Sequence, residues 1–260
     1  VTNQDLEEGE QMASSERVVI VTGGGRGVGR GIAMAFAAEG DRVAVLEFDP
    51  VTVADTVEAL RARGVEALGF ACDVGDKVAV DASVDAIVAA WGRIDVVVNN
   101  AQSVRFANVL TTTDEDADVM WRSGFLGTMH VMQAAHAHLA ASRGSIVNLI
   151  SGAVLGGLGE SGVYGAVKAA IRVLTRAAAT EWGPLGIRVN CISPSAQTPA
   201  LDIWKETYPE AYEKRAKLIP LQHFGDPEHD IGRAVVLLAS ADAHYITGST
   251  VTVDGGAYFL

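Results

Sequence analysis

Tyr164 and Lys168, in the run Tyr164-Gly165-Ala166-Val167-Lys168, are spaced to share one face of a helix. That pairing has a specific chemical use. A tyrosine phenol titrates near 10 and works as an acid or base at neutral pH only if it falls toward about 7, roughly 4 kcal/mol of selective phenolate stabilisation. A lysine ammonium a few ångströms away has the right sign and size. Ser151 precedes the pair, and its hydroxyl could bond a carbonyl or alkoxide oxygen beside the phenol. Ser151, Tyr164 and Lys168 are therefore candidate catalytic residues for proton transfer at an oxygen that alternates between alcohol and carbonyl. Alone, a Tyr-x-x-x-Lys arises by chance in roughly one chain in four. Its weight comes from the order of the motifs around it.

The first of these is Thr22-Gly23-Gly24-Gly25-Arg26-Gly27-Val28-Gly29, between a β-branched run and an Ala-rich one. Glycines there let the chain turn tightly and let a pyrophosphate approach a helix N-terminus. Glu47 ends the second apolar run, where a carboxylate can accept both hydroxyls of an adenosine ribose and repel a 2′-phosphate. Arg26 pulls the other way, since a guanidinium pairs with phosphate. The carboxylate competes for the very place the phosphate would occupy, so the expected cofactor is NAD rather than NADP.

Positioning these groups requires a particular scaffold. Apolar runs at 18–22, 42–47, 65–70, 94–99, 145–150, 187–192 and 249–253 read as strands. Helical stretches lie near 27–40, 50–63, 76–92, 114–141, 161–183 and 227–240. Near-continuous apolar strands alternating with helices predict an α/β, Rossmann-like doubly wound parallel sheet with helices on both faces. Residues 1–16 read as an acidic mobile tail, 17–260 as a single domain, and 195–226 as an insertion covering the substrate side.

Composition narrows the classes. The formal charge is −12, with 49% hydrophobic residues and two cysteines, Cys72 and Cys191. No basic footprint for nucleic acid is visible, and no apolar run is long enough for a membrane span. The cysteines read as buried thiols of a reducing cytoplasm. His130, His136 and His138 have no metal-ligand spacing, so no metal is expected.

Taken together, TGGGRGVG (22–29), CDV (72–74), NNA (99–101), Ser151, YGAVK (164–168), RVN (188–190), Pro194 and VDGG (253–256) make the chain resemble the short-chain dehydrogenase/reductase family, from about Arg17 onward. The resemblance implies a seven-stranded parallel sheet of order 3-2-1-4-5-6-7 and a nicotinamide cofactor across its C-terminal edge. It implies cofactor contacts from Gly23, Arg26, Gly27, Val28, Gly29, Glu47 and Phe48. It adds Asp73 and Val74 about the adenine, Asn99 and Ala101 on the adenosine side, and Pro194 and Thr198. Tyr164 would move the proton, Lys168 would hold the nicotinamide ribose, and Ser151 would orient the substrate oxygen. A homotetramer is expected, with the Tyr164 helix at an interface and the apolar end Tyr258-Phe259-Leu260 buried against a neighbour.

The chain departs from the family pattern at named places. Gln102 replaces a glycine beside the nicotinamide. Gly124 stands where an asparagine normally helps hold a water leading to the lysine. The segment Pro194-Ser195-Ala196-Gln197-Thr198 is one residue shorter than usual before its threonine, and His223 replaces an arginine. On the substrate side, the small apolar segment 152–160, with Ala153 and Leu158, would line a pocket, together with Gln102 and Trp204. Trp204, Tyr208 and Tyr212, at spacing four, either close over a ligand from one helix face or dock the insertion on the body. Arg105 could meet an anionic group or be a solvated loop residue.

Two functions follow. The first is hydride transfer between NAD(H) and a small-molecule secondary alcohol or ketone, with 3-oxoacyl thioesters as an alternative substrate class. The second is a dinucleotide-binding regulatory or scaffolding protein with little catalysis, motivated by Gly124 and the altered 102 and 195–198 positions.

Overall fold

The computed structural model describes residues 17–152, 154, 157 and 159–258. Seven parallel strands form one sheet in the order β3-β2-β1-β4-β5-β6-β7. They are β1 (Val18–Thr22), β2 (Arg42–Glu47), β3 (Ala67–Ala71), β4 (Val96–Asn99), β5 (Ser145–Leu149), β6 (Arg188–Pro194) and β7 (Thr250–Val253). This is the expected doubly wound, Rossmann-like architecture. The order reverses between β1 and β4, and a crevice opens beyond the strand ends there, as such folds require.

Alternation along the strands explains why both faces are covered. Val19 and Val21 of β1 join Ile32, Phe36, Val57, Leu60 and Val235 in one apolar cluster. Val18 and Ile20 join Val84, Ile87, Val131 and Leu139 in the other. On the first side lie α1 (Gly27–Ala38), α2 (Pro50–Arg61) and α9 (Arg233–Ala239). On the second lie α3 (Lys77–Trp91), α5 (Gly127–Ser142) and α6 (Gly162–Trp182). Each fully buried Val or Ile of the central strands contributes roughly 1.5–3 kcal/mol.

Two helices differ from the sequence expectation. The stretch expected as one helix over 114–141 is α4 (Asp114–Trp121), a π segment (Arg122–Leu126) and then α5. The wider turn falls at Gly124, where another side chain moves into the space a Cβ would fill. The helix expected from 227 likewise begins as a π segment, Pro227–Gly232. That segment lies directly on α1: a Cβ on Gly31 would meet the Pro227 carbonyl carbon at 2.3 Å, and one on Gly232 would meet Ala35 Cβ at 2.6 Å. Ion pairs Arg63–Glu228 and Arg233–Glu39 flank this crossing.

Residues 195–226 hold two short helices, α7 (Pro199–Thr207) and α8 (Pro209–Ala216). Pro209 interrupts the run that would have put Trp204, Tyr208 and Tyr212 on one face. Tyr208 caps both helices with non-helical angles and is 58% exposed. The acidic tail 1–16 and the terminal Phe259 and Leu260 lie outside the described residues.

Candidate active site

The glycine-rich turn leaves β1 and enters α1 with unused donors. Arg26, at the N-cap of α1, is extended and makes no capping bond, and the first turn carries no acidic residue. The exposed N–H groups and helix dipole therefore form an anion site at the edge of a cavity of about 660 Å³. Gly29 must lack a side chain, because a Cβ there would stand 2.1 Å from the Gly23 carbonyl oxygen. Gly27, at φ +54°, borders the cavity, and a Cβ there would meet Pro199 Cδ in ordinary contact at 3.7 Å. A pyrophosphate fits this cradle.

The far end of the cavity is acidic. Glu47 accepts from the Gly25 N–H (3.1 Å) and the Phe48 N–H (2.8 Å), which fixes its carboxylate at the end of β2. Arg26, Phe48, Asp73, Val74 and Ala101 border the same space. Asp73 accepts from the Gly75 N–H, and His130 Nδ1 lies 3.0 Å from the Val74 carbonyl oxygen.

A second compartment of about 240 Å³ adjoins the first; Val28, Asn100, Gln102, Val104 and Thr198 border both. Ser151, Tyr164, Lys168 and Pro194 border this smaller space. The sequence pattern thus brings its three candidate catalytic residues to one wall, at the end of β5 and the start of α6. Lys168 is buried, donates to the Leu149 carbonyl at 2.9 Å, and has its Nζ 5.8 Å from the Tyr164 ring centroid. Burial draws its pKa down to about 8, with Cys191 opposing.

The phenol departs from the simplest expectation. Burial holds the Tyr164 pKa above its ordinary value, and a hydrogen bond with Ser151 works against that rise. Desolvation is the larger of these two effects, and the neighbouring Lys168 is itself buried and less readily charged.

A match to the family model described as enoyl-(acyl carrier protein) reductase covers residues 23–258. The chain is a short-chain dehydrogenase/reductase. A 12alpha-hydroxysteroid dehydrogenase from a Clostridium species is 40% identical over 249 residues, 92% of this chain and 96% of that protein. A (2S)-[(R)-hydroxy(phenyl)methyl]succinyl-CoA dehydrogenase subunit of Thauera aromatica is 36% identical, covering 94% and 98%. An NAD+-bound xylitol dehydrogenase structure superposes with a TM-score of 0.86 at 30% identity, covering 94% and 100%. This short-chain dehydrogenase/reductase is thus an oxidoreductase of the alcohol–ketone couple, from a family that uses nicotinamide cofactors.

Several residues of this short-chain dehydrogenase/reductase sit differently from the sequence expectation. The Asn99 side chain points into the core, where it pairs with Asn148 at 2.8 Å, the residue opposite it in the β4–β5 register. Its neighbour Asn100 borders both compartments and donates to the carbonyls of Thr22 and Gly23, shaping the nucleotide turn. The run Asn99-Asn100 was visible in the sequence; strand register decides which of the two faces the crevice. Trp204 borders neither compartment and packs against Tyr212, whose hydroxyl donates to Gln197 at 2.7 Å. These aromatics dock α7 on α8. Ala153 and Leu158 lie outside the described residues.

Thr198 borders both compartments and caps α7 through its hydroxyl, so the shortened segment still delivers it to the site. Gln102 borders both as well, but its carboxamide is bonded to backbone. Arg105 borders the larger cavity, with Nη1 donating to the Val104 carbonyl. His136 meets Trp182 edge-on, and His223 is exposed beside the Phe224 carbonyl. Phe106 escaped the sequence reading: its ring lies against Tyr164. An isolated aromatic in a loop carries no periodic signal.

Proposed function

We propose that this enzyme oxidises a secondary alcohol, and reduces the corresponding ketone, with NAD(H) and with Tyr164 as the general acid/base. The observation that carries this reading is the wall of Ser151, Tyr164 and Lys168 on a compartment continuous with the glycine-rich groove. Tyr164 Oη takes the proton from the alcohol oxygen or returns it to the forming alkoxide. Ser151 holds that oxygen in place. Lys168, when protonated, favours the phenolate electrostatically. Bound nicotinamide supplies the hydride acceptor or donor.

Glu47 supports NAD over NADP, because its fixed carboxylate opposes a 2′-phosphate. Gly23, Gly27, Val28, Asp73, Val74, Ala101, Pro194 and Thr198 would hold the dinucleotide along the two compartments. Phe106, 69% exposed beside Tyr164, supports an apolar alcohol. A reducing cytoplasm suits the two free buried thiols, whose pKa values burial raises. Among the described residues no helix is long and apolar enough to cross a membrane. A homotetramer suits the exposed Val173 on α6, and light scattering tests it: a monomer mass would refute it.

The deciding experiment measures initial rates with NAD and with NADP over a panel of alcohols and ketones, for the wild type and Tyr164→Phe. The reading expects turnover with NAD, a loss of about a thousandfold or more in Tyr164→Phe, and retained NADH binding. Unchanged turnover in the variant would remove Tyr164 from the mechanism. NADH binding with no turnover on any panel member would favour a dinucleotide-binding protein without catalysis.

A further inference from the structure

Gln102 and Gly124 depart from the family pattern separately in sequence, yet they meet in space. A Cβ on Gly124 would lie 2.2 Å from Gln102 Oε1 and 2.6 Å from Val167 Cγ1. The Gln102 carboxamide therefore occupies the volume that a side chain at 124 would need. Its orientation follows from its partners. Nε2 donates to the carbonyls of Ser103 and Met120, each at 3.0 Å. Turned over, the amide would set its oxygen against two carbonyl oxygens. Oε1 is thereby left buried and without a hydrogen-bond partner.

Leaving a buried acceptor unpaired costs about 1–3 kcal/mol. The bonds that Nε2 makes offset this and join two segments of chain. The Ser103 N–H adds a tie to Ser123 Oγ at 3.0 Å, and Ser123 donates to the Val119 carbonyl at 2.7 Å. The loop after β4 is thus fastened to the π segment. The same loop carries Phe106, whose ring faces Tyr164. Met120, Val167 and Tyr164 belong to one apolar cluster beneath it.

We propose that Gln102 is a positioning residue for the reactive end. Its carboxamide replaces a side chain at 124 and holds the 102–106 loop on the π segment, which sets the wall opposite Tyr164. This rests on the reaction proposed above.

The test uses Gln102→Met, which keeps most of the volume but donates no hydrogen bond, and Gly124→Ala in three backgrounds. Gln102→Met should lose about tenfold in kcat/KM, mainly through the alcohol KM, with the NADH dissociation constant within about twofold. Gly124→Ala should cost about tenfold or more in the wild type and about threefold or less beside Gln102→Ala. An equal cost in both backgrounds overturns the proposal. So does relief by Val167→Ala in place of Gln102→Ala, or wild-type kinetics in Gln102→Met. The same cycle read in melting temperature needs no substrate. Absence of turnover in the wild type therefore refutes the reaction, while additive melting shifts refute the shared volume.

Discussion

The Phe106 ring stands edge-on to the Tyr164 ring, with centroids 6.4 Å apart and planes at 63°. The loop that carries it is held at its base, where the Ala107 N–H donates to the Glu160 carbonyl at 3.0 Å. An aromatic pair contributes about 0.5–1.5 kcal/mol beyond area burial, roughly a three- to tenfold effect. Phe106→Ala should raise KM for apolar alcohols by about that factor and leave kcat within about threefold. Steady-state kinetics on a short and a long alcohol would check it. A fall in kcat alone would place Phe106 outside substrate binding.

The proposed proton transfer through Tyr164 fixes the sign of the pH dependence. Oxidation needs the phenolate, and reduction needs the phenol. Burial holds the phenol above its ordinary pKa. Alcohol oxidation should therefore climb with pH up to and beyond about pH 10, while ketone reduction holds and declines only above that. Initial rates in both directions would show it. Parallel slopes would mean that a different group transfers the proton.

Lys168 predicts a gain in stability from a loss of function. Its pKa is about 8 in the folded chain against an ordinary 10.5. The unfolded chain keeps the proton longer, so this group makes stability rise between about pH 8 and pH 10.5 and imposes its full cost below. That cost is about 3 kcal/mol, partly offset by the bond to the Leu149 carbonyl. Lys168→Met should abolish turnover yet melt higher than wild type near neutral pH. The advantage should shrink above about pH 8 and be gone by about pH 11. Melting curves at several pH values decide it, and a constant difference would exclude Lys168 titration as the cause.

Much of this was legible in the sequence because it is local. The strands showed as β-branched runs, their alternation with helices gave a doubly wound sheet, and the strand order was what the family resemblance implied. Ser151, Tyr164 and Lys168 converge because a strand end and a helix start meet at the sheet edge. What escaped depends on register or on chain segments far apart in sequence. Asn99 and Asn100 exchange roles according to which faces the core. Pro209 turned one expected aromatic face into two docked helices. The pairing of Gln102 with Gly124 needs the width of a π turn, which no periodicity announces.

On the proposed reading, Glu47 sets the preference for NAD. Glu47→Ser removes the fixed negative charge at the end of β2 while keeping a small hydroxyl. The ratio of kcat/KM for NAD over NADP should fall by about ten- to a hundredfold, equivalent to about 1.4–2.8 kcal/mol. Arg26→Ala should move the ratio in the opposite direction. Rates with both cofactors on one substrate measure it. An unchanged ratio in Glu47→Ser would relocate the discrimination.

The crossing of Gly31 with Pro227 and Gly232 ties the first helix to a segment translated long after it. A chain leaving the ribosome has its glycine-rich turn long before that partner exists. Until residue 232 emerges, α1 lacks the backbone surface that fixes its axis, and its free N–H groups are not yet aimed. Dinucleotide capture would then wait for residue 232, although the glycine-rich motif is translated early. Stalled nascent chains ending before Pro227 should not retain NADH, and chains with the whole sequence outside the tunnel should.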